Sequence, residues 1–302
     1  YEAFCQVVAS MADQYAKFIK ASQEVAWRKP LPPMNIILTS LLERQDHNGF
    51  SHQNPSFISS MMEKHGNFVS AYFPPDLNSM IYALETTMKS TNALNLIVAG
   101  KNELPYWLNP AEAKQQVDDG IMTWDFASDP NPELILCSTG DYVTQEALAA
   151  VKIFKSLFAK IPLRYVNVSE LSALGIGDAT TVTNAEFLNK YFTQDKPVVY
   201  NYHGYPQTIK KLLFDYHGNE RFHIHGYEEN GSTTTPFDMK ARNATSRYHL
   251  VIDLVQMTFR RNLISEGEMQ KALQKMQDKL QSSHEHILRY DIDPEEIANW
   301  KW

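Results

Sequence analysis

Apolar positions follow two rhythms along this chain. Phe4, Val7, Val8, Met11, Tyr15, Phe18 and Ile19 recur at helical spacing from the first residues on, with no capping residue ahead of them. Continuous apolar runs of strand length then alternate with amphipathic stretches. MNIILTS (34–40) predicts a parallel strand buried on both faces. It is followed by a helix over 56–65, a strand in FVSAYF (68–73), a helix over Leu77–Lys89 and a strand in LNLIVAG (94–100). Residues 101–131 break into turns and short helices. The alternation then resumes: strand ELILCSTG, helix 144–158, strand LRYVNVS, helix 185–191, strand KPVVYNYHG, helix 206–216, strand RFHIHGY. Two helices end the chain, over 246–259 and 265–290. The second opens on Ser265-Glu266-Gly267-Glu268, a capping-box pattern. Strand–helix alternation of this kind predicts an α/β fold built as two three-layer units with mostly parallel sheets.

Length and charge narrow the function. A chain of 302 residues is long enough for two domains, each with its own core. Its 43% hydrophobic and 12% aromatic content is that of a globular protein. Lys and Arg number 28 against 35 Asp and Glu, a net charge of −7 that disfavours nucleic acid, whose binding depends on neutralised phosphates. No apolar run approaches the ~20 residues of a membrane span. Cys5 and Cys137 lack metal-type spacing and read as buried thiols of a reducing, cytoplasmic compartment. The chain starts at Tyr1 in mid-pattern, so it reads as the C-terminal piece of a longer protein.

Candidate chemistry is concentrated after the first strand. RQDHNGFSHQNP (44–55) gathers two imidazoles, several amides, a guanidinium and a carboxylate where α/β sheets place their ligands. Histidines there can move protons, although a merely solvated polar loop would have a similar composition. Lys101 follows the strand LNLIVAG at the same sheet edge and can hold a phosphate as a point charge. His223 and His225 share one face of a strand, a spacing that suits a metal, but the sequence offers no third ligand beside them. They read as structural, and no residue is assigned to a metal. GSTTTPFDM (231–239) reads as a helix cap or a subunit interface, HGYP (203–206) as a strand-to-helix corner, and His284 and His286 carry no role. Nucleotide-binding glycine loops and a nucleophile elbow are absent from the sequence. Gly177-Asp178-Ala179 departs from the Gly-Asp-Gly that opens a thiamine diphosphate magnesium motif.

RQDHNGFSHQNP, YFPPD (72–76), IVAGK (97–101), HGYP, GSTTTPFDM and the closing NWKW occur in that order, and together they resemble the xylulose 5-phosphate/fructose 6-phosphate phosphoketolases, thiamine diphosphate enzymes related to transketolase. The resemblance covers essentially the whole chain. It implies residues 1–115 as the remainder of a middle, pyrimidine-binding domain, 116–131 as a linker and 132–302 as the C-terminal domain. It also implies a lyase that uses thiamine diphosphate and Mg²⁺, with the diphosphate and metal site in a part this chain lacks.

The implied reaction cleaves a ketose phosphate with inorganic phosphate to give acetyl phosphate and an aldose phosphate. By position in the motif, His52 resembles the family's active-site histidine, and Gln45 and Asn48 match its amides. His47, Lys101 and Tyr1 match positions near the phosphate site, and Phe4 matches one that packs on the aminopyrimidine. The resemblance further implies a homodimer, and independent inactivity for this portion. Ordinary transketolase fits less well, because its corresponding loop has a different, Gly-Pro-Thr-His-like form. A non-catalytic dimerisation or regulatory module would need neither the His47–His52 loop nor Lys101.

Overall fold

The structure is a computed structural model describing residues 1–39, 41–44, 54–64, 66–175, 185–216, 218–231 and 233–302. A 3₁₀ turn, Glu2–Val8, leads into α1 (Ala9–Gln23). Then come β1 (Met34–Leu38), a short turn Leu42–Arg44, α2 (Ser56–Met62), β2 (Val69–Tyr72), α3 (Leu77–Lys89) and β3 (Leu94–Val98). These three strands form a parallel sheet in the order β1-β3-β2. Every residue of the central β3 is buried, whereas β1 alternates, with Asn35 and Ile37 exposed. The expectation of a strand buried on both faces therefore fails for β1. The chain crosses over so that the later LNLIV run takes the middle place, and MNIIL is left at the edge.

The second unit starts earlier than expected. Residues 116–131, expected as a linker, hold the end of α4 (Pro110–Asp119), then β4 (Ile121–Thr123). β4 pairs antiparallel with β6 and forms an edge of the second sheet. Gly120 makes the turn between helix and strand at φ 70°, and a Cβ there would meet that of Ala173 at 2.9 Å, so only glycine fits. β5 (Leu134–Thr139), α5 (Asp141–Leu157), β6 (Leu163–Val168), α6 (Ala185–Phe192), β7 (Val198–Tyr202), α7 (Pro206–Leu212) and β8 (Phe222–His225) complete a five-stranded sheet, order β4-β6-β5-β7-β8, parallel apart from β4. The chain ends with α8 (Pro236–Arg242), α9 (Arg247–Arg260), α10 (Glu266–Tyr290) and α11 (Glu295–Ala298). The capping box on α10 is present: Glu268 N–H donates to Ser265 Oγ at 3.3 Å, and Ser265 N–H to Glu268 Oε2 at 2.8 Å.

The two units share a core. Along β5, Leu134 and Leu136 pack with α5, α9 and α10, while Ile135 and Cys137 face a cluster that also contains Leu94, Leu96 and Val98 of β3 and Ile19 of α1. One face of the second sheet thus closes the core of the first. Both cysteines are buried free thiols, and burial pushes the Cys5 thiol up to about 12. Among the described residues no helix is long and apolar enough to cross a membrane.

Candidate functional site

Near the carboxyl end of each strand of the first sheet, one backbone amide is held by a buried carboxylate. After β1, Leu42 N–H donates to Glu2 Oε2 at 2.8 Å. Within β2, Ala71 N–H donates to Glu170 Oε1 at 2.8 Å, and just beyond the strand Phe73 N–H donates to Ser169 O at 2.7 Å. After β3, Gly100 N–H donates to Asp141 Oδ2 at 2.7 Å. Glu170 and Asp141 come from the second unit, at the carboxyl ends of β6 and β5. Glu2 comes from the first turn and reaches the second unit through its other oxygen, 2.8 Å from His203 Nε2 just past β7. All of these carboxylates are buried, and His203 is 1% exposed. The seam between the sheets is therefore a set of strand ends clamped by acids.

Physical chemistry separates these acids. Burial pushes Asp141 above the usual carboxylate range, only partly offset by the Gly100 and Tyr142 amides and the nearby His203. Burial raises Glu170 in the same way, against the Ser172 hydroxyl and the Ala71 amide. Asp76, fixed by the YFPPD corner, is a fourth buried acid. Its Oδ1 caps α3 through Ser79 N–H at 2.9 Å, and its Oδ2 accepts from Trp107 and Leu108 at 3.0 and 2.9 Å.

The residues expected at the site fall into two groups. Gln45, His47, Asn48 and His52 lie outside the described residues, as does the Gly177–Ala179 triplet. Tyr1, Phe4 and Lys101 are described. Tyr1 and Phe4 flank the buried Glu2 on one turn and stack with ring centroids 5.0 Å apart at 23°. Both rings are exposed, Phe4 by 63%. Lys101 is exposed and follows Gly100, against which Tyr142 is pressed: a Cβ on Gly100 would meet the Tyr142 hydroxyl at 2.6 Å. The Arg44 guanidinium lies 5.9 Å from the centre of the same tyrosine ring, and Lys240 Nζ lies 5.8 Å from it. Tyr142 thus links the Lys101 turn to Arg44, and Glu2 links the Tyr1/Phe4 turn to Leu42 on the same short turn. Arg44 also lines a cavity of about 880 Å³ with Thr233, Thr235, His286, Asp293 and Glu295. Acids and bases are mixed there, so charge alone does not make it an anion site. The Arg44 Nε and His286 Nε2 atoms have no hydrogen-bond partner among the described residues.

Other readings resolve individually. Thr235 caps α8 by accepting from Asp238 N–H at 3.3 Å, so the GSTTTPFDM segment serves a helix start. His203 does sit at a strand-to-helix corner, and its pairing with Glu2 went unseen, because a contact 201 residues apart in sequence leaves no local pattern. A third partner for His223 and His225, absent from their neighbourhood in sequence, is Asp253 on α9.

With this geometry in view, the comparisons define a class and then a family. The fold is that of the transketolases. A transketolase from Leishmania mexicana superposes with a TM-score of 0.55 at 13% identity, covering 73% of this chain and 30% of that one. A Pichia stipitis transketolase in complex with sedoheptulose 7-phosphate gives 0.53 at 13%, covering 75% and 30%. The pattern of the D-xylulose 5-phosphate/D-fructose 6-phosphate phosphoketolases matches residues 1–90, and that of the XFP C-terminal domain matches 101–302, so the chain belongs to the phosphoketolase family. A probable phosphoketolase of Brucella suis is 36% identical over 313 residues, and probable phosphoketolase 2 of Lactiplantibacillus plantarum 38% identical over 309. In both cases all of this chain is covered but only 38% of the relative's length.

Proposed function

We propose that the chain forms part of an active phosphoketolase, a lyase that cleaves xylulose 5-phosphate or fructose 6-phosphate with inorganic phosphate. The products are acetyl phosphate and glyceraldehyde 3-phosphate or erythrose 4-phosphate. The observation that carries this reading is family membership along the whole chain together with the Arg44–Pro55 motif, which follows β1 in the sequence. His52 donates and accepts protons at the substrate oxygens, and Gln45 and Asn48 hydrogen-bond the developing oxyanion. His47, Lys101 and Tyr1 hold phosphate oxygens, with Lys101 acting as a point charge.

The exposed Tyr1–Phe4 pair fits a planar heterocycle, and Phe4 would pack on the aminopyrimidine of thiamine diphosphate. When bound, thiamine diphosphate would supply carbanion stabilisation, with its diphosphate and Mg²⁺ held by residues outside this chain. Glu2, Asp141 and Glu170 act as positioning residues that keep the three strand ends in register with one another. The unit of the first sheet then serves as part of the pyrimidine-binding domain, and the unit of the second sheet, β4 included, as the C-terminal domain of a cytoplasmic homodimer whose partner completes each site.

Acetyl phosphate formation from xylulose 5-phosphate, phosphate, Mg²⁺ and thiamine diphosphate tests this, with the intact protein compared with the 302-residue chain. Product from the intact protein alone is expected. His52→Ala should lower the rate by about two orders of magnitude or more, the range for a lost acid–base group. Wild-type turnover in that variant would remove His52 from the reaction.

A further inference from the structure

On the far edge of the second sheet, three metal-ligating groups converge without any role in the site described above. His223 and His225 point from the same face of the edge strand β8, and Asp253 reaches them from α9. Asp253 Oδ2 lies 2.8 Å from His223 Nδ1 and 2.5 Å from His225 Nε2. All three ligand atoms fall within 4.8 Å of one another. We propose that His223, His225 and Asp253 form a binding site for a borderline-soft divalent cation of the Zn²⁺ class.

The chemistry of the donor set supports a cation of this class. Two imidazoles and a carboxylate suit Zn²⁺, Co²⁺ or Ni²⁺ and poorly suit Mg²⁺ or Ca²⁺, which prefer oxygen. With metal–ligand distances of ~2.0–2.1 Å, tetrahedral ligands sit ~3.3 Å apart. To reach that spacing the two nitrogen–oxygen distances open by ~0.5–0.8 Å and the two nitrogens, within 4.8 Å of each other, close by up to ~1.5 Å, a change that turning the half-exposed His223 ring supplies. Asp253 and His225 are nearly buried and rest on a strand and a helix, so two ligands are preorganised, whereas the His223 side chain is 54% exposed and leaves the site open for water as the fourth ligand.

His249 lies one turn before Asp253 on α9 and donates to or accepts from Ser246 Oγ through Nδ1 at 2.8 Å. Burial lowers the His249 pKa, helped by His225 and opposed by Asp253. Lys210 and Arg260 add positive charge around His223 and weaken cation binding without supplying a ligand. The ring nitrogens that face Asp253 must present lone pairs to the cation, so in the loaded site each neutral imidazole carries its proton on its other nitrogen.

The test uses the intact protein, stripped with a chelator and dialysed against Zn²⁺ alone. The wild type should hold one more Zn²⁺ per chain than His223→Gln or Asp253→Asn, with affinity for that ion reduced at least ~100-fold in either variant, above the loss typical of a ligand's own supporting contacts. His223→Gln is the decisive variant, because its half-exposed side chain can be exchanged without opening the core. Co²⁺ in place of Zn²⁺ should give the visible d–d absorption of a four-coordinate site in the wild type and lose it in His223→Gln. Equal zinc content in the wild type and His223→Gln, or an unchanged Co²⁺ spectrum, would overturn the proposal.

Discussion

The seam between the two sheets and the packing of α5 against α9 both bury carboxylates, yet they treat them in opposite ways. At the seam, Asp141 and Glu170 are satisfied by backbone amides and hydroxyls, and burial drives both upward. Behind the second sheet, Glu146 faces Arg247, whose Nε and second terminal nitrogen each donate to it at 2.8 Å, while its backbone N–H does the same. Burial would push Glu146 up there too, but the guanidinium outweighs it and holds the carboxyl below the usual range. One region neutralises its buried charge and is built for stability. The other aims its carboxyl oxygens at main-chain amides, which fixes the strand ends beside the candidate site at some cost in stability. The difference lies in the partner and not in the degree of burial, because Asp141, Glu146 and Glu170 are all buried.

The largest expected effect comes from breaking the neutralised pair. Arg247→Met should cost about 3–5 kcal/mol, the usual penalty for stranding a buried charge, read as a lower unfolding temperature of the intact protein. Its pH dependence should also change sign. In the wild type, Glu146 contributes stability that is present above its unfolded value of 4.5 and lost as pH falls through its depressed native value. In the variant, the unpaired carboxyl is raised, so stability should fall as pH rises. An unchanged pH slope would mean that Arg247 does not govern Glu146.

A smaller effect is expected at the seam. Asp141 is raised in the native state, so its contribution to stability is fully present below its unfolded value of 3.8 and is lost as pH rises through the native value. Asp141→Asn should abolish that loss while giving up one of two amide contacts, for a net change of about 1–2 kcal/mol at neutral pH. Unfolding temperatures measured from pH 4 to 8 would show a flatter profile than the wild type; a profile that keeps the wild-type slope would clear Asp141 of this role. The smallest effect is a null. Cys5, whose thiol accepts burial and the Glu2 charge by rising to about 12, and the fully buried Cys137 should resist alkylation at pH 8 until the protein unfolds, as read by peptide mass mapping. Rapid labelling of Cys5 in the native state would show that the Glu2 turn opens.

Much of this was legible in the sequence, and what was not shares one cause. Local signals placed α3 at Leu77–Lys89, put the capping box at Ser265 and found each strand among the described residues but β4, because periodicity and caps act over a few residues. β4 was missed since three residues, IMT, carry no period, and it pairs antiparallel with a strand more than forty residues later. The edge position of β1 depends on strand order, which the run MNIIL does not encode. The seam was invisible for the same reason: Glu2 with His203, Ala71 with Glu170 and Gly100 with Asp141 are partners far apart in the chain. The expectation that Lys101, Tyr1 and Phe4 serve the site rests on motif resemblance alone, whereas the clamps that hold their neighbours emerge only from tertiary packing. Asp253 left a faint trace, a His-x-x-x-Asp step on a helix to set beside the His-x-His of β8.

The most direct test of the seam as the frame of a phosphoketolase site is acetyl phosphate formation by the intact protein in its wild-type, Glu2→Gln and His223→Gln forms. Glutamine keeps the shape of Glu2 but removes its charge, and with its amide oxygen on Leu42 N–H it obliges His203 Nε2 to accept a hydrogen bond instead of pairing with a carboxylate, so at least a tenfold loss of turnover is predicted in a folded protein, with His223→Gln active. A wild type that makes no acetyl phosphate, or a Glu2→Gln variant as active as the wild type, would contradict the account.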